Sequence, residues 1–154
     1  MSLPASWTLF GPDHIPQRLL LLAKMIDRIS SKRLQHDFGI SVAQWRVLAF
    51  ICTLGPTSGS YLGEASEIDP SEISRAVKAM LTSGLVTRDY EEGSRKRQII
   101  SPTEAGKSLF EKVRDTRRTY FTEITKDLSS DERVEFDRAM EVIAKAVIRE
   151  RDQA

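Results

Sequence analysis

The sequence predicts a mainly α chain with one small β-hairpin, and three observations predict it. Apolar residues recur at steps of three and four in the first and last thirds of the chain. The stretch DPSEISRAVKAMLTSG, residues 69–84, reads as a short capped helix. It runs straight into LVTRDYEEGSRKRQIISPTEAG, which reads as two short strands around a turn carrying Arg95, Lys96 and Arg97.

Each element follows from local signals. Residues 1–13 hold Pro4, Gly11 and Pro12 beside Trp7 and Phe10, an irregular arm with two apolar anchors for a partner subunit. From about His14 to Asp37, Ile15, Leu19, Leu22, Ile26 and Ile29 form an amphipathic stripe that Gly39 ends. Ser41 and Gln44 form a capping box that opens a second helix. Its Trp45, Val47, Leu48, Phe50, Ile51, Cys52 and Leu54 are apolar on nearly every side, the mark of a buried helix, and Gly55-Pro56 stops it.

Ser58 to Ser66 is expected to be a short third helix, with Gly63 allowing close approach of the next one. Asp69 as N-cap, Pro70 at the first helical position and Glu72 at the third start the fourth. Ile73, Val77, Met80 and Leu81 line its inner side, while Ser71, Ser74, Arg75, Lys78 and Thr82 line the other. Gly84 ends it, and strands follow at Leu85–Tyr90 and Gln98–Ser101. The last third is helical, from Thr103 to about Lys126 and again after the Ser129/Glu132 capping box, with Phe136, Met140, Ile143 and Val147 on one side.

A chain of 154 residues suits one domain with its own core, and 40% hydrophobic with 29% charged residues is an ordinary globular composition. Apolar runs such as Leu19 to Ala23 fall far short of a membrane span, so no membrane partner and a cytoplasmic location are expected. Cys52 is the only cysteine, which rules out an internal disulfide and a paired-thiolate metal site. A net charge of +1 does not exclude DNA, because charge acts through local faces over about 10 Å. No phosphate loop, zinc-ligand spacing or HExxH motif is present, and His14 and His36 have no triad spacing, so neither an enzyme nor a cofactor is expected. The long helices at the two ends of the chain carry more apolar stripe than a compact monomer needs, which points to a two-fold dimer.

The helix order, the capped fourth helix and the basic hairpin together resemble the MarR-type family of bacterial transcription regulators over roughly residues 14 to 150. ISVAQWRVLAF, PSEISRAVKAMLTSGLVTR and SPTEAGKSL carry the resemblance. It implies a winged helix-turn-helix lobe at 41–101 within a single domain spanning 1–154, with dimerisation helices at 1–38 and 103–154. It also implies a homodimer bound to a near-palindromic double-stranded operator, usually as a repressor. On that pattern Ser71, Ser74, Arg75 and Lys78 face the major groove. Arginine can pair with guanine, serine with base or phosphate, and lysine with phosphate.

The hairpin tip departs from the family's Asp-x-Arg, since Ser94 and Lys96 stand at the corresponding positions. Arg95, Lys96 and Arg97 are the candidates for the minor-groove contact. The resemblance further implies a small aromatic or phenolic acid as effector. Arg33 and His36, placed by helical projection on the stripe of Leu22, Ile26 and Ile29, are the candidate ligands beside Trp45 and Arg46. Two alternatives are a winged-helix module that binds a protein partner, and a thiol-based redox-sensing regulator using Cys52.

Overall fold

The helix at Pro70–Thr82 is fixed at both ends by its own sequence. At its start the Asp69 carboxylate accepts from the backbone N–H of Ser71 at 2.8 Å and of Glu72 at 3.3 Å, two donors that a helix cannot satisfy internally. At its end Gly84 takes φ 70°, a left-handed conformation that costs glycine little. Leu85 N–H then reaches back to the Met80 carbonyl at 2.9 Å and Gly84 N–H to that of Leu81 at 3.2 Å, the paired bonds of a Schellman stop.

The computed structural model describes residues 2–9, 11, 13–66, 68–91, 93, 94 and 97–153. After a short 3-10 turn at Ala5–Thr8 the order is α1 (Ile15–Phe38), α2 (Val42–Leu54), β1 (Thr57–Ser58), α3 (Gly59–Ser66) and α4 (Pro70–Thr82). There follow β2 (Val86–Tyr90), β3 (Gln98–Pro102), α5 (Glu104–Ile124) and α6 (Ser130–Gln153). The chain divides into two compact units, Met1–Val113 and Arg114–Ala154, with the boundary inside α5.

In the first unit the core gathers α2, α3, α4 and the sheet. Val47, Leu48 and Ile51 of α2, Leu62 of α3, and Ile73, Ala76, Val77 and Met80 of α4 are buried together with Val86 and Ile100. Burying each large aliphatic side chain contributes roughly 1.5–3 kcal/mol, so α4 is held mainly by Ile73, Val77 and Met80. A smaller cluster joins Leu34 of α1, Ile40 and Val113 of α5, with Trp45 and Leu109 packed against it. The Ser41/Gln44 capping box forms in full, with Gln44 N–H on Ser41 Oγ at 3.1 Å and Ser41 N–H on Gln44 Oε1 at 2.7 Å. In the second unit Ser129 and Glu132 form the matching box before α6. Arg133 there donates to the Leu128 carbonyl at 3.1 Å and the Thr125 hydroxyl at 3.1 Å, occupying acceptors past the end of α5.

Several expectations need correction. The hairpin is not alone: β1 pairs with β3, so the sheet has three antiparallel strands in the order β1-β3-β2. Ser58 belongs to that strand rather than to α3, which begins at Gly59. Leu54, expected in a buried helix, is 69% exposed at the end of α2. The inward residues of α1 are Ser30 and Leu34, with Leu22 and Ile26 half-buried, whereas Ile29, Arg33 and His36 are exposed. A serine at a buried position broke the apolar repeat, and the stripe at 3.6 residues per turn passes through Ser30 instead of Ile29.

Gly63 is not the close approach it was expected to be. A Cβ there would meet the Ile73 and Pro70 side chains at 3.8 and 3.9 Å, ordinary contact. The tight glycine is Gly106, where a Cβ would lie 2.1 Å from the Leu85 carbonyl oxygen. Among the described residues no single helix is long and apolar enough to cross a membrane.

Candidate nucleic-acid interface

The face of α4 opposite its buried stripe is built from short polar and basic side chains. Ser71, Ser74, Arg75, Lys78 and Thr82 are all exposed, and each lies one or two positions from a buried Ile73, Ala76, Val77 or Met80. The apolar stripe fixes the roll of the helix, so the polar face is aimed by the core and not by its own contacts. Ser71 Oγ also donates to the Asp69 carboxylate, which leaves its oxygen as an acceptor toward a ligand. That bond is the largest influence holding the Asp69 carboxyl below the usual carboxylate range. The backbone N–H groups of Ser71 and Glu72 and the charge of Arg75 add to it.

The hairpin is locked to α4 through Thr103. Its hydroxyl donates to the Gly84 carbonyl at 2.7 Å, and its N–H donates to the Leu85 carbonyl at 3.1 Å. The same hydroxyl accepts from Gly106 N–H at 3.1 Å, capping α5. The end of α4, the foot of β2 and the start of α5 therefore meet at one point, and Gly106 lets the Leu85 carbonyl pass over α5. This gives a physical reason for the TEAG sequence, residues 103–106. The signal for it was present, since a glycine three residues into a helix is unfavourable unless something needs the space.

Beyond its foot the hairpin pairs Val86 with Pro102, Arg88 with Ile100 and Tyr90 with Gln98. Because side chains alternate along a strand, Val86, Arg88, Tyr90, Gln98 and Ile100 share one face. The turn closes with Glu91 N–H on the Arg97 carbonyl at 2.9 Å, Ser94 N–H on the Glu91 carbonyl at 2.9 Å, and Arg97 N–H on Ser94 Oγ at 3.1 Å. Ser94, standing where the related pattern has an acid, thus braces the turn through a hydroxyl. The Arg97 guanidinium lies 3.4 Å from the Glu91 carboxylate. Arg95 and Lys96, the other two candidates at the tip, lie outside the described residues.

Among the described residues a cleft lies on each side of α4. One, of about 280 Å³, lies between α4 and the hairpin and includes Ser60, Ser74, Arg88 and Gln98. Sequence reasoning missed Ser60, Arg88 and Gln98, because their juxtaposition depends on strand register. The other, of about 270 Å³, lies toward the start of α2 and includes Ser41, Gln44, Glu72 and Arg75.

The four residues chosen for an effector are engaged separately. Trp45 stacks on Phe110, with ring centroids 5.7 Å apart and planes at 15°. Arg46 approaches Asp27 at 4.0 Å. His36 Nδ1 lies 2.7 Å from the Asp37 carboxylate, and Arg33 is exposed on α1. In the N-terminal arm Arg18 donates to the carbonyls of Trp7 at 3.1 Å and Gly11 at 3.3 Å, while Phe10 lies outside the described residues. Cys52 is half-buried, and burial pushes its thiol up, opposed by Lys107 and reinforced by Glu111. Among the described residues no group of three His, Cys, Asp or Glu side chains could hold a metal ion.

Comparison with known proteins matches this region. The MarR family model covers residues 38–98, from the end of α1 to the start of β3. A Bacillus subtilis (strain 168) protein described as an uncharacterized HTH-type transcriptional regulator, YwoH, is 22% identical over 123 residues, 80% of this chain and 88% of that protein. A MarR/EmrR family transcriptional regulator from Acinetobacter sp. ADP1 superposes with TM-score 0.79 at 18% identity, covering 88% of this chain and 96% of the other. A putative MarR family regulator from Listeria monocytogenes, solved with a 26mer DNA, superposes with TM-score 0.78 at 20% identity, covering 88% and 90%. The structural likenesses show a shared fold, and the MarR family model matches the part of the chain, residues 38–98, that holds the helices and most of the hairpin described above.

Proposed function

We propose that this chain is a DNA-binding transcriptional regulator that acts as a homodimer on a near-palindromic operator. The observation that carries the reading is the exposed polar and basic face of α4, held in place by the buried stripe of Ile73, Ala76, Val77 and Met80. Such a face presents donors for base edges and phosphates on a helix that fits the major groove. The hairpin, tied to the same helix by Thr103, reaches for the neighbouring minor groove with Arg97 and with Arg95 and Lys96. The Listeria relative bound to a 26mer DNA supports duplex DNA as the partner.

Dimerisation is supported by α6, which among the described residues has none buried and leaves Val134, Phe136, Met140, Val142, Val147 and Ile148 exposed. Repression relieved by a small aromatic acid is the finer part of the reading. An anion directed to Arg46 would compete with Asp27 for it, and one directed to Trp45 would meet a ring already stacked on Phe110. Titration of a fluorescent duplex with the wild-type protein and with Arg75→Ala and Lys78→Ala tests the DNA reading. Weaker binding in both variants is expected, and unchanged binding would move the interface elsewhere.

A further inference from the structure

We propose that the cleft between α4 and the hairpin seats a backbone phosphate of the bound duplex, with Arg88 as its counter-charge. The inference rests on the DNA-binding reading and adds residues to it. If α4 lies in the major groove while the hairpin tip reaches the adjacent minor groove, the sugar-phosphate strand dividing those grooves must run between the two elements. The cleft is the space between them.

Its chemistry suits that strand. The rim is polar and exposed: the Arg88 guanidinium, the Gln98 amide and the hydroxyls of Ser60 and Ser74 are all capable of donating to a phosphate oxygen. Its floor is apolar and buried, formed in part by Ile73 and Val77, which lowers the local dielectric and strengthens a charged contact at the rim. Among the described residues its lining contains one cation and no carboxylate. The cleft on the other side of α4 sets Glu72 beside Arg75, so its charge nearly cancels and it offers a phosphate little. At about 280 Å³ the hairpin-side cleft lies just below the ~300–1,000 Å³ typical of small-molecule sites, in keeping with a single group passing over it.

Register explains why the cation points there. Arg88 lies opposite Ile100, and Ile100 is buried, so Arg88 sits on the sheet face that turns toward α4. Gln98, two residues before Ile100 on β3, shares that face.

The test compares wild type, Arg88→Gln and Arg88→Lys on two fluorescent duplexes of about 30 base pairs, one selected from a random pool by the wild-type protein and one of random sequence. Affinity is followed from low to high salt, because each neutralised phosphate contributes about 0.9 to the slope of log affinity against log salt. Arg88→Gln is expected to weaken both duplexes by the same factor, about tenfold, and to make the slope shallower by about 0.9 per subunit. Arg88→Lys is expected to retain the wild-type slope, which separates loss of charge from a damaged hairpin. An unchanged slope in Arg88→Gln, with wild type binding normally, would overturn the phosphate site and leave the DNA reading standing. Loss confined to the selected duplex would also overturn it, by making Arg88 a base reader. Wild-type protein that binds neither duplex would overturn both.

Discussion

Glu91 and Arg97 face each other across the mouth of the hairpin turn, their charged groups 3.4 Å apart and their backbones joined by the Glu91 N–H to Arg97 carbonyl bond. The resembled family pattern places an acid and an arginine at the tip, where this chain has Ser94 and Lys96. Here the acid–arginine pair stands at the base of the turn. Both side chains are substantially exposed, so the pair contributes at most about 1 kcal/mol to stability, and its importance lies in where it holds the guanidinium.

Replacing Glu91 by Gln is therefore expected to leave thermal stability nearly unchanged. It removes a negative charge beside the proposed DNA contact, so random-sequence affinity should rise slightly. It also frees Arg97, so the preference for a selected duplex should shrink. Arg97→Ala should lower affinity for both. Competition titrations of the two duplexes measure the ratio, and an unaltered ratio in Glu91→Gln would remove the positioning role.

Gly106 and Gly63 make opposite predictions. A methyl group at Gly106 would meet backbone, 2.1 Å from the Leu85 oxygen, which cannot move without disturbing the junction of α4, β2 and α5. Gly106→Ala should cost about 3 kcal/mol or more, the upper end of overpacking penalties. Gly63→Ala meets the Ile73 and Pro70 side chains and the Ile68 carbonyl oxygen only at ordinary contact, 3.8 Å or beyond, within a helix, and should be neutral or stabilising by up to about 1 kcal/mol. Urea denaturation of the two variants checks both signs.

The contrast between those glycines shows what the sequence makes legible. Caps and stops, such as Ser41/Gln44, Asp69-Pro70 and Gly84, depend on residues within a few positions of each other, and each forms as its local chemistry dictates. What depends on long-range register was hidden. A two-residue β1 at Thr57–Ser58 has too little pattern to stand out, and it exists because β3 offers it an edge. Gly106 is tight only because Leu85 crosses it. Ser30, a polar residue in an inward position, diverted the predicted stripe of α1 toward Arg33 and His36. The polar face of α4 was legible because one capped helix with an unbroken apolar stripe defines it, whereas Arg88 and Gln98 come together only through the pairing of β2 with β3.

Cys52 should behave as an unactivated thiol. Its folded pKa is raised, chiefly by burial, so the folded chain keeps a proton that the unfolded chain releases. Stability should fall as pH rises from the thiol's ordinary range through its raised value, and Cys52→Ser should flatten that decline. Alkylation of the native protein near neutral pH should be much slower than of the denatured protein. Equal rates would restore the redox-sensing alternative.

The exposed apolar side of α6 predicts a dimer in solution. Phe136 is 45% exposed and Val147 63%, surface that a second copy would cover. Sedimentation equilibrium should give twice the chain mass for wild type, and a Phe136→Glu, Met140→Glu double variant should shift toward the single-chain mass. Wild type at the single-chain mass would contradict the dimer.

Whether the exposed face of α4 reads duplex DNA is measured most directly by affinity against salt for wild type, Arg75→Ala and Lys78→Ala on selected and random duplexes. Wild type should lose affinity steeply with salt and prefer the selected duplex. Lys78→Ala should weaken both duplexes alike and flatten the slope, while Arg75→Ala should cost about 1–3 kcal/mol on the selected duplex and relax its specificity. Affinity that is insensitive to salt, shows no sequence preference and is untouched by either substitution would contradict that reading.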